Sequence, residues 1–171
     1  MNVARPIAPV TPEEFEAMDK DERLIYELID GVVMMSPSPS RNHQFAAHRI
    51  HGHLFQLLKN SPCRAAGELD IKHKRNIYRP DLMIFCDKDA ELPEIIFEIL
   101  SPSTKRHDLI TKAVKYEEMG VKEYWIIDLD IKAITLHDFA NQTTATYTLG
   151  DTIQSKARPE IIITVDDIMN D

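Results

Sequence analysis

Hydrophobic and polar positions change period several times along the chain, and each change predicts an element. From Leu24 to Met35 the run LIYELIDGVVMM is apolar and β-branched on both sides of Asp30-Gly31, a dipeptide that favours a tight turn, so two antiparallel strands are expected. Ahead of it, behind an irregular arm of residues 1–10, Thr11-Pro12-Glu13-Glu14 offers a capping threonine, a proline at the first helical position and a glutamate able to reach back. That predicts a short helix running to about Asp19. After the SPSPS loop at 36–40, Phe45, Ala46, Ala47, Ile50, Leu54, Leu57 and Leu58 recur at helical spacing until Asn60-Ser61-Pro62 breaks the pattern.

Cys63 to Lys74 is a strand candidate, and two dense apolar runs, PDLMIFC from Pro80 and EIIFEIL from Glu94, read as central strands. Residues 105–119 return to helical periodicity, Gly120 offers a C-cap, and EYWIID from Glu123 resumes as a strand. The stretches 133–138, 144–149 and 160–165 look like antiparallel additions, with Asp166 placed to cap a terminal turn. Strands interleaved with helices predict an α/β fold, a mixed central sheet flanked by helices.

At 171 residues, 43% hydrophobic and 28% charged, the chain fits one compact domain spanning 11–171. No charged segment followed by an apolar run opens it, and no stretch approaches the roughly 20 apolar residues that span a bilayer, so a soluble protein without a membrane partner is expected. Cys63 and Cys86 sit in no cluster that suggests a zinc knuckle or a disulfide framework, which points to a reducing cytoplasm. A net charge of −8 argues against coating nucleic acid by nonspecific electrostatics. Two features soften that objection: acids gathered at a metal have their charge offset by it, and basic patches occur at Lys72 to Arg75 and Lys105 to His107.

Three acids stand where carboxylates are costly, because removing one from water takes several kcal/mol unless a cation or hydrogen bonds replace its hydration. Glu98 lies among Ile96, Phe97, Ile99 and Leu100; Asp81 follows Pro80 at the start of PDLMIFC; Glu27 lies between Ile25 and Ile29 on its face of the first strand. Each alone is explained by a strand end, an arginine partner or a loop cap. Three together suit a hard divalent ion such as Mg²⁺, with Mn²⁺ as a substitute. At about 100° per residue, Lys112 falls between Tyr116 and Met119 on an inward arc that also takes in Leu109, Ile110, Ala113 and Val114. Lys115 falls outside it and reads as a solvated lysine. An inward lysine orients an attacking water or stabilises phosphate charge; the alternative is an aliphatic stem covering apolar surface.

YELIDG at 26–31, RPDLMIF at 79–85, EILSPST at 98–104, then Asp108, Lys112, Tyr116 and GVKEYWIID at 120–128, resemble the Uma-two family of restriction-endonuclease-like proteins, in order from about Thr11 to Val165. The resemblance implies a restriction-endonuclease-like PD-(D/E)XK fold, metal-dependent cleavage of phosphodiester bonds and a bacterial setting. It also implies the assignment of Glu27 as the early acid, Asp81 as the PD aspartate and Glu98 as the second acidic ligand. The usual lysine two residues after that acid is replaced here by Leu100, which has no proton chemistry. Lys112 on the following helix matches a relocated lysine, and Lys105 is a second candidate.

His43 starts the helical pattern that continues through Ala47, Ile50 and Leu54, so it either faces the same cavity or is a satisfied boundary histidine. His48 and His51 lack a third zinc ligand at a recognisable spacing. Ser101 and Ser103 have no His/Asp partners and read as a turn. The expected mechanism is hydrolysis of DNA in which Asp81, Glu98 and Glu27 hold Mg²⁺ and Lys112 positions the water, with Asp108, Tyr116 and His43 as supporting residues. Cutting both strands suggests a two-fold homodimer. The alternatives are a nuclease fold with a decayed site that binds nucleic acid or protein, and a sugar hydrolase using paired acids without metal.

Overall fold

The computed structural model describes residues 8–100 and 106–170, with the side chains of residues 106–108 left out of that description. In chain order the elements are α1 (Pro12–Ala17), β1 (Leu24–Ile29), β2 (Val32–Pro37), α2 (Arg41–Leu57), β3 (Arg64–Gly67), β4 (Ile71–His73), β5 (Asn76–Tyr78) and β6 (Leu82–Phe85). They continue as β7 (Ile95–Ile99), α3 (Arg106–Met119), β8 (Glu123–Asp128), β9 (Ala133–Asp138), β10 (Thr143–Thr148), β11 (Thr152–Gln154), β12 (Ile162–Thr164) and α4 (Val165–Met169). They divide into two compact units, one of residues up to Ser38 with Asp70–Arg79, the other of Pro39–Leu69 with Pro80 onward.

In the first unit, four strands pair in the order β2-β1-β5-β4. The capping box that opens α1 is formed: the Thr11 hydroxyl accepts from the Glu14 N–H at 3.2 Å and the Glu14 carboxylate from the Thr11 N–H at 2.8 Å. Asp30 and Gly31 turn the β1–β2 hairpin at φ 51° and 78°. Glycine is required at 31, because a Cβ there would lie 2.3 Å from that of Pro9. Phe15, Leu28 and Ile77 form the small core beneath.

The second unit carries a six-stranded sheet in the order β10-β9-β8-β7-β6-β3. Only β7 and β8 run parallel, and α3 lies in the connection between them, as a parallel pair demands. Residues alternate in β7: Ile95, Phe97 and Ile99 join Trp125, Ile127 and the α2 residues Ala46, Ile50 and Leu54 in the main core, with the Phe97 and Trp125 rings 5.2 Å apart. Glu98 belongs to the opposite face. Among the described residues no helix is long and apolar enough to cross a membrane.

Several expectations are corrected. Cys63 to Lys74 is not one strand: Glu68 adopts φ 55° directly after Gly67, and the chain passes from β3 in one sheet to β4 in another. The three-residue strands β5 and β11 are too short to show a period. Thr164, not Asp166, caps α4, with Asp167 completing a capping box. Ile110 and Val114 are 65% and 49% exposed, so the inward face of α3 centres on Tyr116 instead. Lys115 is not a fully solvated lysine, its side chain being only 20% exposed.

Cys63 and Cys86, whose spacing suggested no disulfide framework, form a disulfide. The antiparallel register of β3 and β6 pairs Arg64 with Phe85, so the next position outward sets Cys63 across from Cys86. A link spanning 23 residues stabilises by about 3 kcal/mol, chiefly by restricting the unfolded chain. Reduction should therefore lower the urea midpoint of the intact protein, and an unchanged midpoint, with two thiols titrated after reduction, would remove the bond from the sources of stability.

Candidate active site

The site grows from the end of one antiparallel ladder. Leu82 pairs with Phe97 across β6 and β7, so the register places Asp81 opposite Glu98 one position beyond the last pair. Pro80 lacks an N–H and halts the ladder there, which frees Asp81 for side-chain work. One oxygen of Asp81, Oδ2, accepts the Ile99 N–H at 2.7 Å and lies 3.1 Å from Nε2 of His43. Among the described residues its other oxygen carries no hydrogen bond.

Glu98 faces α3. Its Oε1 accepts from the Lys112 ammonium at 2.9 Å and from the Tyr116 hydroxyl at 2.8 Å. Lys112 and Tyr116 are four residues apart, so one helical face delivers both donors. Only 14% of the Lys112 side chain and 12% of Glu98 is exposed, which makes this a part-buried, hydrogen-bonded charge pair. The Tyr116 ring is anchored edge-on against Tyr124, centroids 5.1 Å apart.

His43 comes from the first turn of α2, where Ser40 caps the helix by accepting the His43 N–H at 3.3 Å. Burial opposes its charged form, but the hydrogen bond and charge of Asp81 and the charge of Glu98 outweigh that, and the imidazole titrates above its ordinary value. Its Nδ1 is buried without a hydrogen-bond partner among the described residues. A cleft of about 300 Å³ lined by Gln44, His48, His51, Glu68 and Asp81 opens beside the pair. Gly67 borders it, and a Cβ there would stand 3.0 Å from the backbone oxygen of Asp81. The sequence gives no sign of that role for Gly67, since the close approach depends on strand pairing.

Asp81 with His43, and Glu98 with Lys112 and Tyr116, thus stand at the same end of the β6–β7 ladder within the second unit. Glu27 belongs to the first, where its Oε1 accepts the Arg79 N–H at 2.9 Å. The side chain of Asp108 and all of Ser101, Ser103 and Lys105 lie outside the described residues. No three His, Cys, Asp or Glu side chains form a ready metal cage among the described residues. Two opposed carboxylates, one with an oxygen open, still fit Mg²⁺, which takes one or two carboxylates and fills its octahedron with water and phosphate.

A crystal structure of "a putative nuclease belonging to DUF820" from Anabaena variabilis superposes with a TM-score of 0.82 at 20% identity, over 94% of this chain and 98% of that one. The fold is therefore that of the restriction-endonuclease-like proteins. The model of the Uma2 family, described as "Putative restriction endonuclease", matches residues 12–166, and the chain belongs to that family. The uncharacterised protein slr1290 of Synechocystis sp. is 26% identical over 113 residues, and this chain spans 60% of the length of that relative.

Proposed function

We propose that the protein is a Mg²⁺-dependent endonuclease that hydrolyses phosphodiester bonds of DNA. The observation that carries the reading is the pairing of Asp81 with Glu98 at the end of the β6–β7 ladder, with the Lys112 ammonium already delivered to Glu98, in a chain of a restriction-endonuclease family. Asp81 and Glu98 would hold the ion, which when bound supplies Lewis-acid activation of the scissile phosphate. The Ile99 N–H and His43 fix the Asp81 carboxylate, and Tyr116 fixes that of Glu98, so both are oriented before substrate arrives. Lys112 orients the attacking water and stabilises the charge that develops on phosphate. The water oxygen bonds to phosphorus as one ester P–O bond breaks, giving a phosphate monoester and an alcohol. Glu27 is carried as a third acid on the family resemblance, and cutting both strands would employ two copies.

The test is nicking of supercoiled plasmid by the purified chain, expected with Mg²⁺ or Mn²⁺ and abolished by a chelator. Cleavage that survives the chelator would sink the reading. Leu100 in place of the usual lysine favours a second one, a decayed nuclease fold that only binds. Calorimetry separates the two, because a decayed site gives no Mn²⁺ binding that depends on Asp81 and Glu98.

A further inference from the structure

The β4–β5 hairpin concentrates positive charge in a chain whose net charge is −8. Lys72, Lys74, Arg75 and Arg79 are all exposed within Asp70–Arg79, against the single acid Asp70. Pairing sorts them. Lys72 is ion-paired with Glu16, and Arg79 approaches Asp70 at 3.7 Å. Lys74 and Arg75 form the two-residue turn between the paired residues His73 and Asn76, and neither makes an ion pair or side-chain hydrogen bond among the described residues.

Two further facts argue against incidental surface charge. Lys74 holds φ 55°, a conformation that glycine or asparagine adopts at lower cost, so a lysine there gives up some backbone stability for its side chain. The turn is also built on a fixed base: buried Asn76 accepts the Asp30 N–H at 2.8 Å and donates to the Tyr78 hydroxyl at 2.8 Å, tying the hairpin to the β1–β2 turn. Charge that serves solubility alone can stand anywhere on the surface, and acids serve it better than bases. Arg75 lies within electrostatic reach of Glu13 without pairing with it directly. Two cations with no direct ion-pair partner among the described residues, at the tip of an anchored ribbon, suit evenly spaced phosphates, which bind sequence-independently through just such side chains.

We propose that the β4–β5 hairpin tip grips the nucleic-acid backbone, Lys74 and Arg75 each engaging one phosphate. This deepens the nuclease reading and rests on it for the identity of the polyanion.

The experiment measures binding of the full chain to a short fluorescent duplex DNA across a salt series, in chelator so that no strand is cut. Lys74→Gln/Arg75→Gln should make the dependence of log K on log salt shallower by about 1.8, or about 0.9 for each phosphate no longer neutralised. The charge-matched control Lys59→Gln/Lys88→Gln, at exposed positions of the other unit, should leave the slope unchanged. An unchanged slope in the hairpin variant, or equal flattening in both, overturns the proposal, and Mg²⁺-dependent nicking by the unaltered chain would then leave the nuclease reading standing. A flattened slope in a chain that never nicks DNA keeps the grip and removes the nuclease. No duplex binding by the unaltered chain, whether or not phosphatidylserine vesicles are bound through the hairpin, also overturns it.

Discussion

Lys112→Ala is expected to slow Mg²⁺-dependent cleavage by roughly 10²–10³-fold, the usual worth of one positioned donor, while Mn²⁺ binding persists. The geometry separates the two effects. Glu98 Oε1 is held by the Tyr116 hydroxyl as well as by Lys112, so removing the ammonium leaves the carboxylate aimed as before. A carboxylate that has lost its cation in a site this buried gains from any other cation, so metal affinity should hold or rise. Asp81→Asn should do the reverse: the amide oxygen can still accept the Ile99 N–H, preserving the local fold, but the anionic ligand is gone and both metal binding and cleavage go with it. Calorimetry and plasmid nicking on both variants decide the matter. Equal loss of metal binding in the two would make Lys112 a positioning residue for Glu98, and full cleavage by Lys112→Ala would remove it from the reaction.

How much of this was legible depends on the range of the interactions. The hairpin at Asp30-Gly31, the Thr11 capping box and the inward Lys112 are written within a few residues of one another, and local periodicity predicts them. The opposition of Asp81 and Glu98 needs the β6–β7 register, which sequence suggests only through the family motif. The disulfide and the close approach of Gly67 to the Asp81 backbone come from the β3–β6 register and leave no local mark. On α3, apolar Ile110 and Val114 implied an inward arc that the structure rotates toward Tyr116, because a hydrophobic side chain shows a tendency and not a direction. Acids in apolar strands are also not all alike. Glu123 opens EYWIID much as Asp81 stands at the start of PDLMIFC, yet its loop partners lie more than 30 residues downstream.

Those partners set up the largest expected loss of stability. Glu123 is completely buried, and its carboxylate accepts three N–H groups: Trp125 Nε1 at 3.0 Å on one oxygen, and the backbones of Lys156 at 2.6 Å and Ala157 at 2.9 Å on the other. The loop after β11 is thereby pinned to the start of β8, and the next residue, Arg158, forks onto Glu94, which also binds Lys122 at 3.0 Å. Burial raises the Glu94 pKa, but the hydrogen bonds and charges of Lys122 and Arg158 outweigh it and hold the carboxyl below its usual range. That contribution is present at neutral pH and is lost as the pH falls through the folded-state value. Glu123→Ala strands three donors, each costing about 1–3 kcal/mol when left without a partner, so even with some rehydrated the total should reach about 3 kcal/mol or more. Against the roughly 5–15 kcal/mol that holds a domain together, this is a large fraction. Glu123→Gln should cost less, since one oxygen still serves the loop while the new amide opposes the Trp125 N–H. Urea unfolding measures both, and a loss under about 1 kcal/mol for the alanine variant would refute the account. Glu123 pairs with Ile95 at the far end of β7 from Glu98, so plasmid nicking at a temperature where the variant stays folded should match the unaltered chain. That outcome separates a carboxylate satisfied by N–H donors of the fold from one proposed to hold a metal, although both look alike in the sequence.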